Sequence, residues 1–236
     1  MKKIITMVLA ILLVVSLFGC VKTAEIKETD LIKELQDCMV GNKIFMGQYE
    51  QNNNKKDGLE PIEWIVIAKE EGKVLLLSTY VLDWKPFKQS EDDADCSWQN
   101  SVVRKFLNET FYETAFSSFI KSKIILSTIT NPIYSDPENN LTGDSKTTTD
   151  KVFILSESEL HEYNLFNRSS GDSYPTEYAR GLGADGSYWL RDIGWYSYGI
   201  GWFETRYASE GPYSSLYYER QWEYRGVRPL VWVDIQ

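Results

Sequence analysis

"SYWLRDIGWYSYGIGWF", residues 187–203, carries three tryptophans, three tyrosines and a phenylalanine in seventeen positions. Its two halves read differently. Ser187–Arg191 has strand character, with Tyr188 and Leu190 on one face and Trp189 on the other; Trp189 is expected in the core. From Gly194 onward, Gly194, Gly199 and Gly201 sit between aromatics, which suits a hairpin and loop better than a regular buried strand. The same character runs to the C-terminus. Sixteen of the 63 residues from Tyr174 to Gln236 are aromatic, more ring surface than one core is expected to absorb. No helical periodicity is present. Short strands at Ser187–Arg191, Tyr198–Tyr207, Pro212–Glu219 and Val227–Asp234 are expected, with Trp232 in the core.

Upstream, Lys43–Glu50, Ile62–Ala68 and Lys73–Leu82 read as strands. The last two are nearly continuously apolar, which predicts burial on both faces, and the KEEG between them signals a hairpin. Leu31, Ile32 and Leu35 predict a short helix capped by Asp30. In SWQNSVVRKFLNETFYETAF (97–116), Trp98, Val102, Phe106 and Leu107 fall at helical spacing, and Phe111, Ala115, Phe116 and Phe119 continue a second, shorter helix. Ile124–Ile129 reads as a strand, 131–151 as a long polar loop and Val152–Leu155 as a short buried strand. Ser156 with Glu159 forms a capping box for a helix ending near Tyr163. The fold class is α+β: small mixed sheets, two or three helices and a long Gly- and aromatic-rich C-terminal region. Strands at both ends make pairing of the first and last strands an expectation.

The chain opens MKKIITMVLAILLVVSLFGC: two lysines, an apolar run from Ile4 to Phe18, then Gly19-Cys20. This is the pattern of a secretory signal peptide. It resembles the lipobox of bacterial lipoproteins, which implies cleavage before Cys20 and acylation of its sulfur. Residues 1–19 are then signal peptide, 20–40 a lipidated tether with a short helix, and 41–236 one α+β domain on the outer face of the cytoplasmic membrane. Once Lys2 and Lys3 leave, 23 basic and 34 acidic residues give a net charge of −11. An acidic domain without a basic stripe argues against nucleic acid as a partner. Cys38 and Cys96 either form a disulfide or stay as buried thiols. Without a CxxC, and with one histidine in the chain, a zinc site is not expected.

Seven phrases taken in order, FMGQYEQ, PIEWIVIA, LLLSTYVLD, SWQNSVVRKFLNETFYETAF, DKVFILSESE, YWLRD and GVRPLVWV, resemble an uncharacterised domain family of secreted and surface proteins of Gram-positive bacteria, over about residues 43–235. The closing WLR and GVRP more remotely resemble the C-type-lectin-like fold, including domains related to the formylglycine-generating enzyme. That likeness implies a scaffold only. The oxidase would need a thiol pair in the C-terminal half, and no cysteine follows Cys96.

No catalytic residue is nominated. His161 lies in ESELHEYN on a short polar helix without a nucleophile elbow, and reads as a solvated side chain. Calcium is the one cofactor left open: Glu91, Asp92, Asp93 and Asp95, or Asp136, Glu138, Asn139, Asn140, Asp144 and Asp150, could supply oxygens, although neither stretch matches the DxDxDG loop. Asp150 reads equally as a residue pinning the strand at Val152. Arg191 and Arg228 are expected to fix loop carbonyls or a carboxylate, with Gly226 allowing close backbone approach. The nominated ligand contacts are Trp195, Tyr196, Tyr198, Trp202 and Tyr213, since exposed aromatic patches mark binding surfaces. The expected function is a non-catalytic binding module for a glycan, a cell-wall fragment or a surface protein. A wall-acting hydrolase using carboxylates and a purely structural or assembly protein are the rivals.

Overall fold

The computed structural model describes residues 28–89, 97–131, 146–165, 173–196, 202–208, 216–220 and 223–236. Helix α1 (Glu28–Asp37) leads into strands β1 (Lys43–Tyr49), β2 (Glu60–Glu70), β3 (Lys73–Ser78) and β4 (Asp83–Pro86). A 3-10 turn (Trp98–Asn100) precedes α2 (Val102–Phe106), a π-helical segment (Leu107–Phe111), α3 (Tyr112–Ala115) and α4 (Ser118–Lys123). There follow β5 (Ser127–Asn131), β6 (Lys146–Asp150), α5 (Glu157–Glu162) and α6 (Glu177–Leu182). The chain ends in β7 (Tyr188–Tyr196), β8 (Trp202–Ala208), β9 (Leu216–Arg220), β10 (Tyr224–Val227) and β11 (Leu230–Asp234). The architecture is mixed α+β, as expected, built from small sheets and short helices.

The strands form a four-stranded sheet in the order β1-β2-β3-β11, a five-stranded sheet β4-β10-β7-β8-β9, and the pair β5-β6. The hairpin of β2 and β3 turns at Gly72, which holds φ +77°, a conformation glycine adopts without steric cost. Strand β3 is central, so Val74 to Ser78 are all buried. Strand β2 instead alternates until a register shift between Val66 and Ala68; the expected burial on both faces holds only at Val66 and Ile67. The last strand joins the first strands through β3, with Trp232 opposite Leu75.

Several boundaries differ from the sequence reading. Helix α1 starts at Glu28, so Asp30 lies in its first turn, where a carboxylate suits the helix dipole, and is not the cap. Strand β5 sits three residues later than expected; Ile124 makes an isolated bridge to Val233. The expected polar loop contains β6, whose Thr147–Thr149 run supplies β-branched residues. Val152–Leu155 is buried as expected, yet Phe153 makes one bridge, to Leu230. The final strand is split at Arg228-Pro229. Proline offers no amide to a ladder, and there the chain passes from the five-stranded to the four-stranded sheet. Trp232 is half-buried, not core, with the Lys73 ammonium 4.2 Å from its ring centroid. Helix α6 was not foreseen. Thr176 caps it by accepting from the Ala179 amide at 3.1 Å, and Gly183 ends it at φ +116°.

The helical stretch 102–115 departs from the expected stripe: Trp98 sits in the separate 3-10 turn, Val102 and Phe106 are half-buried, and Phe116 is extended beyond α3. Val103, Leu107, Phe111 and Ala115 are buried and lie four residues apart. In a pure α-helix that row drifts round the axis, since a turn takes 3.6 residues. The π segment widens one turn: the Tyr112 amide reaches Leu107 O, five residues back. The wider turn counters the drift and keeps the row on the core.

Candidate functional site

The two arginines of the closing motifs are structural anchors. Arg191 is 3% exposed. Its Nη1 donates to Ile154 O and Glu159 Oε2, and its Nη2 to Glu159 Oε1, each at 2.5 Å; Nε donates to Thr130 O at 3.2 Å. The same Glu159 accepts from the Ser156 amide at 2.9 Å, completing the predicted capping box. One carboxylate thus ties the start of α5 to β7. Arg228 is 1% exposed; its Nε donates to Ser78 O at 2.9 Å and its guanidinium lies 5.2 Å from the Tyr188 ring centroid. Gly226 permits the crossing beside it: a Cβ there would stand 2.3 Å from Ser187 O and 2.5 Å from Val81 Cγ1.

These anchors position β7. Tyr188, Trp189 and Leu190 are all buried, and Trp189 Nε1 donates to Lys85 O at 2.7 Å while its ring meets Phe87 edge-on. Beyond Asp192 the strand continues to Tyr196, paired with β8. The backbone pairs Trp195 with Phe203 and Tyr196 with Trp202, at the end of the β7–β8 hairpin. On the other side of β8, Tyr207 pairs with Tyr217 and Arg206 with Tyr218. Three of the nominated contact residues, Trp195, Tyr196 and Trp202, therefore take register positions at one hairpin end, Tyr196 opposite Trp202 and Trp195 opposite Phe203. Tyr198 and Tyr213 lie outside the described residues. Of the other C-terminal rings, Tyr174 and Tyr224 are exposed.

A second polar feature was not nominated. A cleft of about 580 Å3 opens between the 99–109 segment and the β6 end, lined by residues that include Gln99, Arg104, Lys105, Glu109, Thr149 and Lys151. Behind it, Asp150 is buried and hydrogen-bonded through both oxygens. It accepts from Arg104 Nε at 2.6 Å, Trp98 Nε1 at 2.9 Å and Thr148 Oγ1 at 2.6 Å. Asn108, on the π segment, accepts from the amides of Lys151 and Val152 and donates to Val152 O. The strand start at Lys151-Val152 is thus pinned by Asn108, not by Asp150, which instead ties β6 to Trp98 and Arg104. The other oxygens nominated for calcium, at 91–95 and 136–144, lie outside the described residues. Among the described residues no three His, Cys, Asp or Glu side chains gather as a metal site.

His161 is on the exposed side of α5. Cys38 is a buried free thiol whose Sγ donates to Leu35 O at 3.0 Å, and burial raises its pKa. Cys96 and the acylation candidate Cys20 lie outside the described residues. Asp192 is buried beside Arg191 and accepts from the Glu157 amide at 2.6 Å. Burial pushes its carboxyl up to about 6, with the amide and Arg191 pulling the other way.

Of the quoted phrases, YWLRD lies on β7 and GVRPLVWV runs across β10 and β11. A family model described as a domain of unknown function, DUF6273, matches residues 71–235. The chain belongs to the DUF6273 family. The matched DUF6273 segment begins at the β2–β3 turn, so FMGQYEQ and PIEWIVIA precede it, and the other five phrases lie within it. No curated protein and no solved structure matches the chain.

Proposed function

We propose that this DUF6273 protein is a lipid-anchored, non-catalytic binding module on the outer face of the cytoplasmic membrane of a Gram-positive bacterium. It would hold a glycan, a wall fragment or a surface protein at the β7–β8 hairpin. The observation that carries the reading is the register that brings Trp195, Tyr196 and Trp202 to one hairpin end. Flat amphipathic rings suit sugar faces and extended peptides, binding with an apolar face and a polar edge. The buried Arg191 in β7, tied to the half-buried Glu159, supports a rigid mount for that strand, which lowers the ordering cost of binding. Acylation at Cys20 follows from the leader pattern. A C-type-lectin-like scaffold is consistent with the mixed small sheets and the closing strand pair.

The test is binding of the purified protein to isolated cell walls and to soluble peptidoglycan fragments, with Trp202→Ala beside the wild type. The variant is expected to bind about 30-fold more weakly, a loss of about 2 kcal/mol, with an unchanged unfolding midpoint. Equal binding by both proteins removes the hairpin as the contact surface. Joint loss of fold and binding assigns Trp202 to the core.

A further inference from the structure

The residues that follow α1 make an exposed apolar tip. Cys38 and Leu35 are buried, but Met39 is 68% exposed, Val40 46% and Phe45 47%. The tip is built, not frayed. Asn42 donates its amide to Met39 O at 3.0 Å, the Met39 amide donates to Asn42 Oδ1 at 2.8 Å, and Gly41 holds φ +94°. This is a turn with glycine at the left-handed position. Gly41 N donates to Val66 O, and Val66 N to Asn42 O, locking the turn to β2. On β1, Ile44 and Met46 face the core while Lys43 and Phe45 face out. Phe45 pairs with Glu63 and Lys43 with the half-buried Ile65, and a Lys43–Glu63 ion pair of 2.7 Å rims this stripe.

Such a set of large apolar side chains, held rigid in water, needs an occupant. The length of chain before it supplies one. Only residues 21–27 separate Cys20 from the start of α1. Fully extended, they reach roughly 25 Å, and α1 adds about 15 Å, so an acylated Cys20 would keep the turn within roughly 40 Å of the lipid surface. We infer that the Met39–Asn42 turn, with Phe45 behind it, inserts into the outer leaflet of the membrane and fixes how the domain stands on it. The insertion is driven by apolar burial, since the domain is acidic. Like other interfacial elements it would enter roughly 5–10 Å, to the headgroup boundary. This rests on the lipid-anchor reading above. The consequence is orientation: the anchor alone gives a swivel, whereas anchor plus turn fixes which face looks toward the wall.

The experiment uses the full acylated chain reconstituted into phosphatidylcholine vesicles containing a nitroxide-labelled lipid. Val40→Cys, in a Cys96→Ser background, carries a polarity-sensitive fluorophore; Met39→Cys is a second probe, Lys55→Cys the water-facing control, and Cys96→Ser alone gives the background from Cys38. Probes at 39 and 40 are expected to be quenched roughly twofold or more by the nitroxide and to shift to the blue, as for residues at the headgroup boundary, while the probe at 55 keeps its aqueous emission. Co-flotation with unquenched probes at 39 and 40 overturns the inference and leaves the anchor standing. Failure of the protein to float with the vesicles overturns the anchor reading, and the inference with it.

Discussion

Asp192 shows how one buried carboxylate sets a pH dependence. It accepts from the Glu157 amide at the start of α5, and its neighbour Arg191 is already committed to Glu159. Desolvation dominates, so the carboxyl titrates at about 6 in the folded protein against about 3.9 in the unfolded chain. The native state therefore holds this proton more tightly. Its stabilising contribution is complete below about pH 4 and is lost as pH rises through 6, a change of about 3 kcal/mol. Asp192→Asn keeps an oxygen for the Glu157 amide and removes the charge. Urea unfolding of both proteins from pH 4 to pH 7.5 is expected to show the stability difference moving steadily in favour of Asp192→Asn, then levelling. A constant difference across that range would mean that Asp192 is not held protonated by burial.

At the scale of elements, β10 is the strand whose seat is tightest. It lies between β4, antiparallel, and β7, parallel, and at Gly226 the neighbouring atoms leave no room for a side chain. Gly226→Ala would force β10 away from the Ser187 carbonyl, which is backbone and cannot swing aside. A destabilisation of about 3 kcal/mol is expected, with faster amide exchange in β10 and β7 as the marker of where it acts; an unchanged melting temperature would show that the crossing has slack. The sequence disclosed this glycine, because GVRP sets a small residue beside a buried arginine. It also disclosed the β2–β3 hairpin and the Ser156 capping box, because those are local patterns. It did not disclose the π segment, whose signature is a hydrogen bond five residues long inside an otherwise helical spacing. Nor did it disclose the Asp150 network, whose partners Trp98 and Arg104 are brought to it by folding across 52 and 46 residues. Of the candidate site, composition revealed the aromatic wealth of 187–224. The pairing of Trp195 and Tyr196 with Phe203 and Trp202 emerged only from the register.

For the whole molecule, the final strand is the closing piece. Strand β11 completes the four-stranded sheet along β3 from Leu230 to Asp234, and its influence spreads further. Leu230 bridges Phe153 and Val233 bridges Ile124. Trp232 O accepts from the Ile125 amide at 2.8 Å, and Ile235 O from Gln36 Nε2 at 2.7 Å. Seven C-terminal residues therefore touch α1, β3, the end of α4 and the segment leading to α5. Such long-range pairing forms late and at a high entropic cost, so these elements should stay loose until β11 docks. A chain ending at Pro229 would leave the edge of β3 from Lys73 to Leu77 without its partner strand and strip the buried Leu230, Val231 and Val233 from the core. Without that strand the chain is expected to lose its near-ultraviolet circular dichroism and its cooperative urea transition, and to bind a hydrophobic dye, while keeping part of its far-ultraviolet signal. Amide exchange gives the sharper reading: protection in β1, β2 and β3 should vanish together. Persistent native protection in those strands would show that they fold as an independent unit, with β11 an addition to a sheet already formed.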